Sequence, residues 1–143
     1  MTLTLELADR IAEGTLRAGR ERAAQPLTVV VLDAGGHVVV AKRGDGSGIL
    51  RFEIAFGKAW GALGMGLPSR VLFDRAAQNP SFFAALAAAS GGRVVPNPGG
   101  VLLRDESGGV VGAVGVSGDT ADMDEDCALD GIQGSPLRGD TGR

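Results

Sequence analysis

The chain has 143 residues, of which 44% are hydrophobic, 22% are charged and 4% are aromatic, and its net charge is −3. That length suits one domain with a buried core, and no apolar stretch approaches the roughly 20 residues of a membrane helix, so we expect a cytoplasmic protein without a membrane partner. The single cysteine excludes an intrachain disulfide, the single histidine excludes a histidine-rich metal centre within one subunit, and scattered basic residues argue against a nucleic-acid partner.

The N-terminal third of the chain is predicted to form a helix followed by a β-hairpin. Residues 4–24 place small and apolar side chains at helical spacing, and Thr4 suits the N-cap. The apolar runs 27–33 and 37–42 lie on either side of a glycine-rich break, which is typical of a hairpin. The glycine-rich segment 43–48 is then predicted to be a loop.

The rest of the chain is predicted to form three helices, a second hairpin and a last helix. These elements lie at residues 49–63, 69–77, 80–89, 100–104 with 110–117, and 120–132. Because the strands fall in separate hairpins, the pattern predicts an α+β fold with a central antiparallel sheet flanked by helices. Residues 1–133 are expected to form one domain, and the polar, glycine-rich residues 134–143 a mobile tail.

The loop after the second strand carries Arg43 and Asp45 on either side of a glycine. Arg43 offers a planar fork for a carboxylate, and Asp45 offers a countercharge or a hydrogen-bond acceptor. The competing interpretation is a surface ion pair that holds the loop.

Lys58 lies in the middle of the second predicted helix, beside apolar positions. A partly desolvated lysine could bind an anionic ligand or act as a base with a lowered pKa. The alternative is a surface lysine whose aliphatic stem packs on apolar neighbours.

The most distinctive segment is the small-residue strand that ends at Ser117 and Gly118, before the acid-rich residues 119–126. Its glycines are spaced GxxGxxG, so they do not form the GxGxxG dinucleotide fingerprint. The corner presents backbone N–H groups, a hydroxyl and carboxylates together, which makes it a candidate site. His37 opens a predicted strand and is a candidate iron ligand or a solvated turn residue, whereas Cys127 suits a small core position.

Taken together, these segments resemble the GlcG/HbpS family of haem-binding-like proteins, which includes the C-terminal domain of PduO-type cobalamin adenosyltransferases. The matching residues, in family order, are Val31-Leu32-Asp33-Ala34-Gly35-Gly36, Arg43-x-Asp45-Gly46, Ile54-Ala55-x-x-Lys58-Ala59, Gly99-Gly100, Gly112-Ala113-x-Gly115-Val116-Ser117-Gly118 and Asp124-x-Asp126-Cys127-Ala128. The resemblance implies a somewhat profilin-like fold, a homo-oligomer and a small-molecule site, with haem and cobalamin-related chemistry among its associations.

These observations together suggest a ligand site built from Arg43, Asp45, Lys58, Ser117 and Asp126. Arg43 and Lys58 would hold an anionic group such as a propionate, Ser117 would orient it, and Asp126 would position Lys58 or a water. Haem or another tetrapyrrole is the first expected ligand, with His37 as the candidate metal ligand. The alternatives are an enzyme that acts on a small organic acid through Lys58 and Asp126, and a structural or accessory protein.

Overall fold

The computed structural model describes residues 2–143, which form five α-helices and one five-stranded antiparallel sheet. The predicted α+β fold is therefore confirmed. The elements in chain order are α1 (Leu5–Glu21), β1 (Thr28–Asp33), β2 (Val38–Arg43), α2 (Arg51–Met65), α3 (Ser69–Gln78), α4 (Pro80–Ala89), β3 (Gly100–Arg104), β4 (Val110–Ser117), α5 (Ala121–Gln133) and β5 (Arg138–Asp140).

The sheet joins the two hairpins side by side in the order β2-β1-β4-β3-β5. Strand β1 pairs along its whole length with β4, from Thr28 opposite Ser117 to Asp33 opposite Gly112. The end of β4 therefore lies in the middle of the sheet, next to the start of β1. This placement brings the Ser117 corner beside the loop that follows β2.

Alternation along β1 divides the core into two layers. Val29 and Val31 face α1 and α5, whereas Val30 and Leu32 face α2. Because both faces of this central strand are covered, residues 29–32 are fully buried and form a continuous apolar run. Within residues 2–143, no helix is long and apolar enough to cross a membrane.

Two glycines of β4 allow neighbouring elements to lie directly against the strand. A Cβ atom at Gly115 would stand 1.9 Å from the backbone oxygen of Ala55 in α2, and one at Gly112 would stand 2.3 Å from the backbone oxygen of Leu32 in β1. Both glycines are therefore close-packing positions rather than parts of a phosphate loop. The approach of α2 fixes the side chain of Lys58 beneath the end of β4.

Helices α1 and α5 begin where the sequence predicts, each after a threonine that caps it. The Oγ1 atom of Thr4 accepts the backbone N–H of Leu7, and that of Thr120 accepts the N–H of Met123. Ser69 is the first residue of α3, and its side chain does not cap that helix. Its buried hydroxyl accepts the N–H of Gly100 at 2.7 Å and so ties α3 to β3.

The C-terminal segment contains a strand that the sequence does not predict. Residues Arg138–Asp140 form β5, which pairs with Leu102–Arg104 of β3, and Leu137 is buried before it. An ion pair of 2.9 Å between Arg104 Nε and Asp140 Oδ2 reinforces the pairing. The sequence pattern does not predict β5, because its three polar or small residues show no alternation of apolar and polar side chains.

Candidate functional site

Lys58 is the most deeply enclosed charged side chain of the predicted site. The residue is 1% exposed, and its Nζ donates to the backbone oxygen of Val116 at 2.8 Å and to Asp124 Oδ2 at 3.1 Å. The other carboxylate oxygen of Asp124 accepts the backbone N–H of Asp119 at 2.9 Å. Lys58 and Asp124 thus join α2, the end of β4 and the start of α5.

Burial shifts both groups towards their neutral forms. Loss of hydration lowers the pKa of Lys58, and the neighbouring Asp124 carboxylate partly restores it. The same loss of hydration raises the pKa of Asp124, against the effect of Lys58. Lys58 and Asp124 already form their hydrogen bonds with groups inside the fold. Their geometry therefore supports a structural role, which is to connect neighbouring elements, rather than a role in binding substrate.

Asp126 was expected to position Lys58 or a water, but the carboxylate that contacts Lys58 is that of Asp124. Asp126 points to the other side of α5, where its oxygens lie 3.8 Å from Arg22 and 3.9 Å from Arg143. A signal for this was present in the sequence. Asp124 shares a helical stripe with Cys127 and Ala128, both fully buried, so periodicity places its carboxylate on the inner face.

Ser117 occupies the corner as predicted, but its partner is a residue that the sequence analysis missed. Its buried hydroxyl accepts a hydrogen bond of 3.1 Å from Arg51 Nη1, at the first turn of α2. Opposite Ser117, the buried Thr28 Oγ1 lies 2.7 Å from Ser47 Oγ. In the sequence, the one indication of the contact between Arg51 and Ser117 is the position of Arg51 at the start of an apolar helix.

Arg43 lies on the same row of the sheet, because it is opposite Thr28, which is opposite Ser117. Directly opposed residues point to the same face of a sheet, so Arg43 and Ser117 both lie on the α2 side. Arg43 is exposed and forms no ion pair within residues 2–143. Arg51 of α2 has no carboxylate partner in that part of the chain either, so one arginine on this row and one beside it have donors that no carboxylate occupies.

Asp45 belongs to a different depression. It lines a cavity of about 300 Å³ between the end of α1 and the loop after β2, together with Leu16, Arg20 and Gln25. The structure therefore brings together Lys58, Ser117 and the row of Arg43, and it separates Asp45 and Asp126 from them.

His37 lies at the β1–β2 turn, where its ring is held by a carboxylate. The Nδ1 atom is 3.1 Å from Asp33 Oδ1, and the His37 side chain is 79% exposed. Asp33 Oδ1 also accepts the backbone N–H groups of Gly35 and His37, each at 3.0 Å. These N–H groups, that of His37 first, lower the pKa of Asp33 and keep it an acceptor.

A cavity of about 430 Å³ adjoins His37. Its apolar wall includes Leu3, Val39 and Val111, and Asp33 contributes to its rim. An ionised carboxylate can only accept, so Nδ1 is the donor in this contact, and Nε2 is the ring nitrogen that takes no part in it. This is the arrangement in which histidine ligates a metal, with its second nitrogen hydrogen-bonded to a carboxylate.

His37 and Arg43 lie at opposite ends of β2. A six-residue strand spans about 20 Å. Arg43 accordingly does not line the cavity beside His37. Within residues 2–143, no group of three or more His, Cys, Asp or Glu side chains is placed to hold a metal ion.

Comparisons with known proteins agree with this fold. The chain matches the family model described as haem degrading protein HbpS-like over residues 3–133. A crystal structure of HbpS is 30% identical, with 93% of this chain and 89% of that chain covered and a TM-score of 0.79. The Klebsiella pneumoniae protein ORFY is 27% identical over 94% of this chain and 93% of that chain, with a TM-score of 0.82.

The crystal structure of a PduOC–haem complex is similar in fold, with a TM-score of 0.87 and 24% identity over 98% of this chain and 99% of that chain. No curated protein matches the chain. The family match extends from α1 to the end of α5 and so includes every element that forms the sheet except β5. The chain belongs to the HbpS-like family.

Proposed function

We propose that this chain binds haem, with His37 as the ligand of the iron. The observation that carries the proposal is the contact between His37 Nδ1 and the Asp33 carboxylate beside an apolar cavity of about 430 Å³. Membership of a family described as haem-degrading and the fold shared with a haem-bound protein support it. A second ligand to the iron is not part of the proposal.

The residues around His37 fit this group. A neutral imidazole whose Nδ1–H is hydrogen-bonded to a carboxylate is a strong donor to iron through Nε2, and the hydrogen bond fixes the orientation of the ring. Bound haem would supply the redox chemistry of its iron. Leu3, Val39 and Val111 would shield one side of the porphyrin from water, while Asp33 would raise the basicity of His37.

A haemin titration followed by absorbance tests the proposal. We expect a one-per-subunit endpoint with a shifted Soret band for the wild-type protein, and at least a tenfold weaker affinity for His37→Ala. Free imidazole added to His37→Ala should restore the wild-type spectrum, because it replaces the missing ligand. Val38→Ala, which trims a half-exposed neighbour, is the matched control and should leave the endpoint unchanged.

An endpoint that His37→Ala leaves unaltered would exclude His37 as the ligand, and the absence of saturable binding would exclude haem. Asp33→Asn tests the supporting contact separately. It keeps a side chain that can accept a hydrogen bond but removes the negative charge, so we expect haem to bind with a raised iron reduction potential.

A second candidate function is the binding of a small carboxylate at the Ser117 corner, which includes the alternative of an enzyme acting on an organic acid. The observation that favours it is that Arg51 contacts Ser117, that Arg43 lies on the same row of the sheet as Ser117, and that neither arginine has a carboxylate partner within residues 2–143. Lys58 is too enclosed to reach a substrate here, so Arg51 takes over its expected role. Asp45 and Asp126 stay outside this corner.

Thermal shift with a panel of small organic acids tests the second function. We expect a saturable rise in Tm that disappears in Arg51→Met and persists in Arg75→Met, an exposed arginine on α3. No rise with any acid, or an equal rise in both variants, would exclude the Ser117 corner as a carboxylate site. Haem binding at His37 would remain intact in Arg51→Met, which distinguishes the two proposals.

A further inference from the structure

The cavity of about 300 Å³ between the end of α1 and the loop after β2 has no part in either candidate function. Apolar side chains form most of its wall, and they are those of Leu16, Ala24, Pro26 and Leu27. Cavities of this volume lie at the lower end of the range that holds ligands in proteins. The cavity therefore suits a small metabolite.

Two side chains of opposite charge line this cavity, Arg20 from α1 and Asp45 from the loop after β2. Both residues are exposed, and within residues 2–143 neither side chain forms an ion pair or a hydrogen bond. By contrast, the nearby Arg22 is paired with Asp130 at 2.8 Å. The cavity thus presents a guanidinium and a carboxylate whose hydrogen-bonding groups are available to a ligand.

The turn that leads into the cavity wall has an unfavourable backbone conformation. Ala23 has a φ of 55°, the only positive φ of a non-glycine residue within residues 2–143. The turn ends α1, and in it the N–H of Ala24 donates to the backbone oxygen of Gly19 at 2.8 Å. Glycine usually occupies this position after a helix, because other residues are strained there. Since backbone strain is concentrated at ligand sites, Ala23 supports a binding role for this turn.

The two segments that enclose the cavity are fixed in place. The N–H of Gly44 donates to the backbone oxygen of Leu27 at 2.8 Å, which joins the loop after β2 to the start of β1. The N–H of Gln25 donates to Asp119 Oδ2 at 2.7 Å, which joins the turn after α1 to the segment before α5. The cavity is therefore formed before a ligand binds, and this lowers the entropic cost of binding.

We infer that this cavity binds a small zwitterion, namely an α-amino acid with an apolar side chain. Arg20 donates to the carboxylate of the ligand, Asp45 accepts from its ammonium group, and the apolar wall covers its side chain. A ligand with only negative charge would face Asp45, and one with only positive charge would face Arg20. An uncharged ligand would leave both groups without a partner. The inference depends neither on haem binding nor on the Ser117 corner.

Calorimetric titration of the full chain with apolar amino acids tests the inference. The probes are L-valine, L-leucine, L-methionine and L-phenylalanine, and we expect saturable binding of at least one of them. Two analogues of the tightest ligand then separate the charged groups, one without the amino group and one without the carboxylate. For leucine these analogues are isocaproate and isoamylamine. Each should bind roughly tenfold more weakly, because it leaves one charged side chain of the cavity without a partner.

Substitutions assign each charge of the ligand to its partner. We expect Arg20→Gln and Asp45→Asn each to weaken amino-acid binding roughly tenfold. The matched controls are Arg17→Gln, at an exposed arginine one turn earlier on α1, and Asp74→Asn, at an exposed aspartate of α3. Both controls should leave the affinity unchanged. Arg20→Gln should also abolish the preference for the amino acid over its amine analogue, whereas Asp45→Asn should retain it.

Three results would overturn the inference. The first is the absence of saturable binding by all four amino acids. The second is an affinity that Arg20→Gln and Asp45→Asn leave unchanged, and the third is an analogue that binds as tightly as the amino acid. All four substituted residues are exposed, so the variants keep the core intact, and circular dichroism verifies their fold.

Discussion

Lys58 Nζ lies 3.1 Å from Asp124 Oδ2, and each side chain is only 2% exposed. The two residues are 66 positions apart, so the pair closes a long loop between α2 and α5. A buried ion pair costs about as much in lost hydration as it gains in attraction, but the removal of one partner leaves an uncompensated charge. The pair therefore specifies how α2, β4 and α5 meet.

Replacement of Lys58 should lower stability more than it affects any ligand. We expect Lys58→Met to lower the free energy of unfolding by about 3–5 kcal/mol, because it leaves the Asp124 carboxylate buried without a countercharge. Urea denaturation measures the change. Arg75→Met, on an exposed part of α3, is the control and should stay within about 0.5 kcal/mol of wild type.

The double variant Lys58→Met/Asp124→Asn separates pairing from packing. The amide that replaces the Asp124 carboxylate still accepts the N–H of Asp119 but carries no charge. We therefore expect the double variant to lose less unfolding free energy than the two single variants lose in sum. Strict additivity would contradict the structural role assigned to the pair.

Glycine in β4 should be indispensable where α2 crosses the strand. We expect Gly115→Ala to cost about 1–3 kcal/mol or more of unfolding free energy, because its Cβ would meet the backbone oxygen of Ala55 at 1.9 Å. In Gly134→Ala the added methyl meets nothing within 4 Å, at a φ of −81°. That control should be neutral or slightly stabilising in the same urea titration. Equal effects would refute the close approach.

Acid should loosen the C-terminal strand before the rest of the sheet. Partial burial opposes ionisation of Asp140, but hydrogen bonds from Arg104 and Gly142 outweigh it and lower its pKa. A lowered carboxyl pKa stabilises the fold above the unfolded value of about 3.9, and this contribution is lost as the pH falls through the folded value. Because the pair is partly exposed, we expect under about 1 kcal/mol.

Hydrogen exchange in β5, expressed as protection factors at pH 6 and pH 3, measures that loss. Arg104→Gln should lower protection of residues 138–140 at pH 6 and abolish most of the difference between the two pH values. An unchanged pH response in Arg104→Gln would show that another group controls the strand. The same experiment tests the expected mobility of residues 134–143.

Cys127 should be inert in the folded protein. Burial raises the pKa of its thiol to about 11, and the residue is fully enclosed by the α1–α5 core. We therefore expect negligible reaction with a thiol reagent at pH 8 and stoichiometric reaction after unfolding in guanidinium. Rapid labelling of the native protein would contradict the packing of α5 described above.

Local signals predicted most of the fold. Thr4 and Thr120 mark helix starts, and glycine-containing turns separate apolar runs into the two hairpins. The pairing of β1 with β4 joins segments about 85 residues apart, and no local pattern encodes which strands become neighbours. The strand β5 is too short and polar to carry a periodicity of its own.

In the candidate site, too, local sequence patterns predicted some positions but not the contacts that depend on tertiary structure. The sequence pattern predicted Lys58 beside apolar surface and Ser117 at a strand end, and both lie there, whereas their role in binding a ligand stays a prediction. It assigned Asp126 instead of Asp124, although the helical stripe of Cys127 and Ala128 indicated the inner carboxylate. Arg51 was missed because its contact with Ser117 depends on how α2 crosses the sheet, which only the tertiary structure shows.

Trp60 is the only tryptophan of the chain. Its ring packs against Gly36, the residue before His37, so that a Cβ atom built at Gly36 would be 3.2 Å from the ring. The Arg93 guanidinium lies over the ring, 4.2 Å from its centroid. An absorbing porphyrin at His37 would accept excitation energy from an indole this close. The protein therefore carries an intrinsic fluorescent reporter, whose emission should fall in proportion to occupancy without any added label.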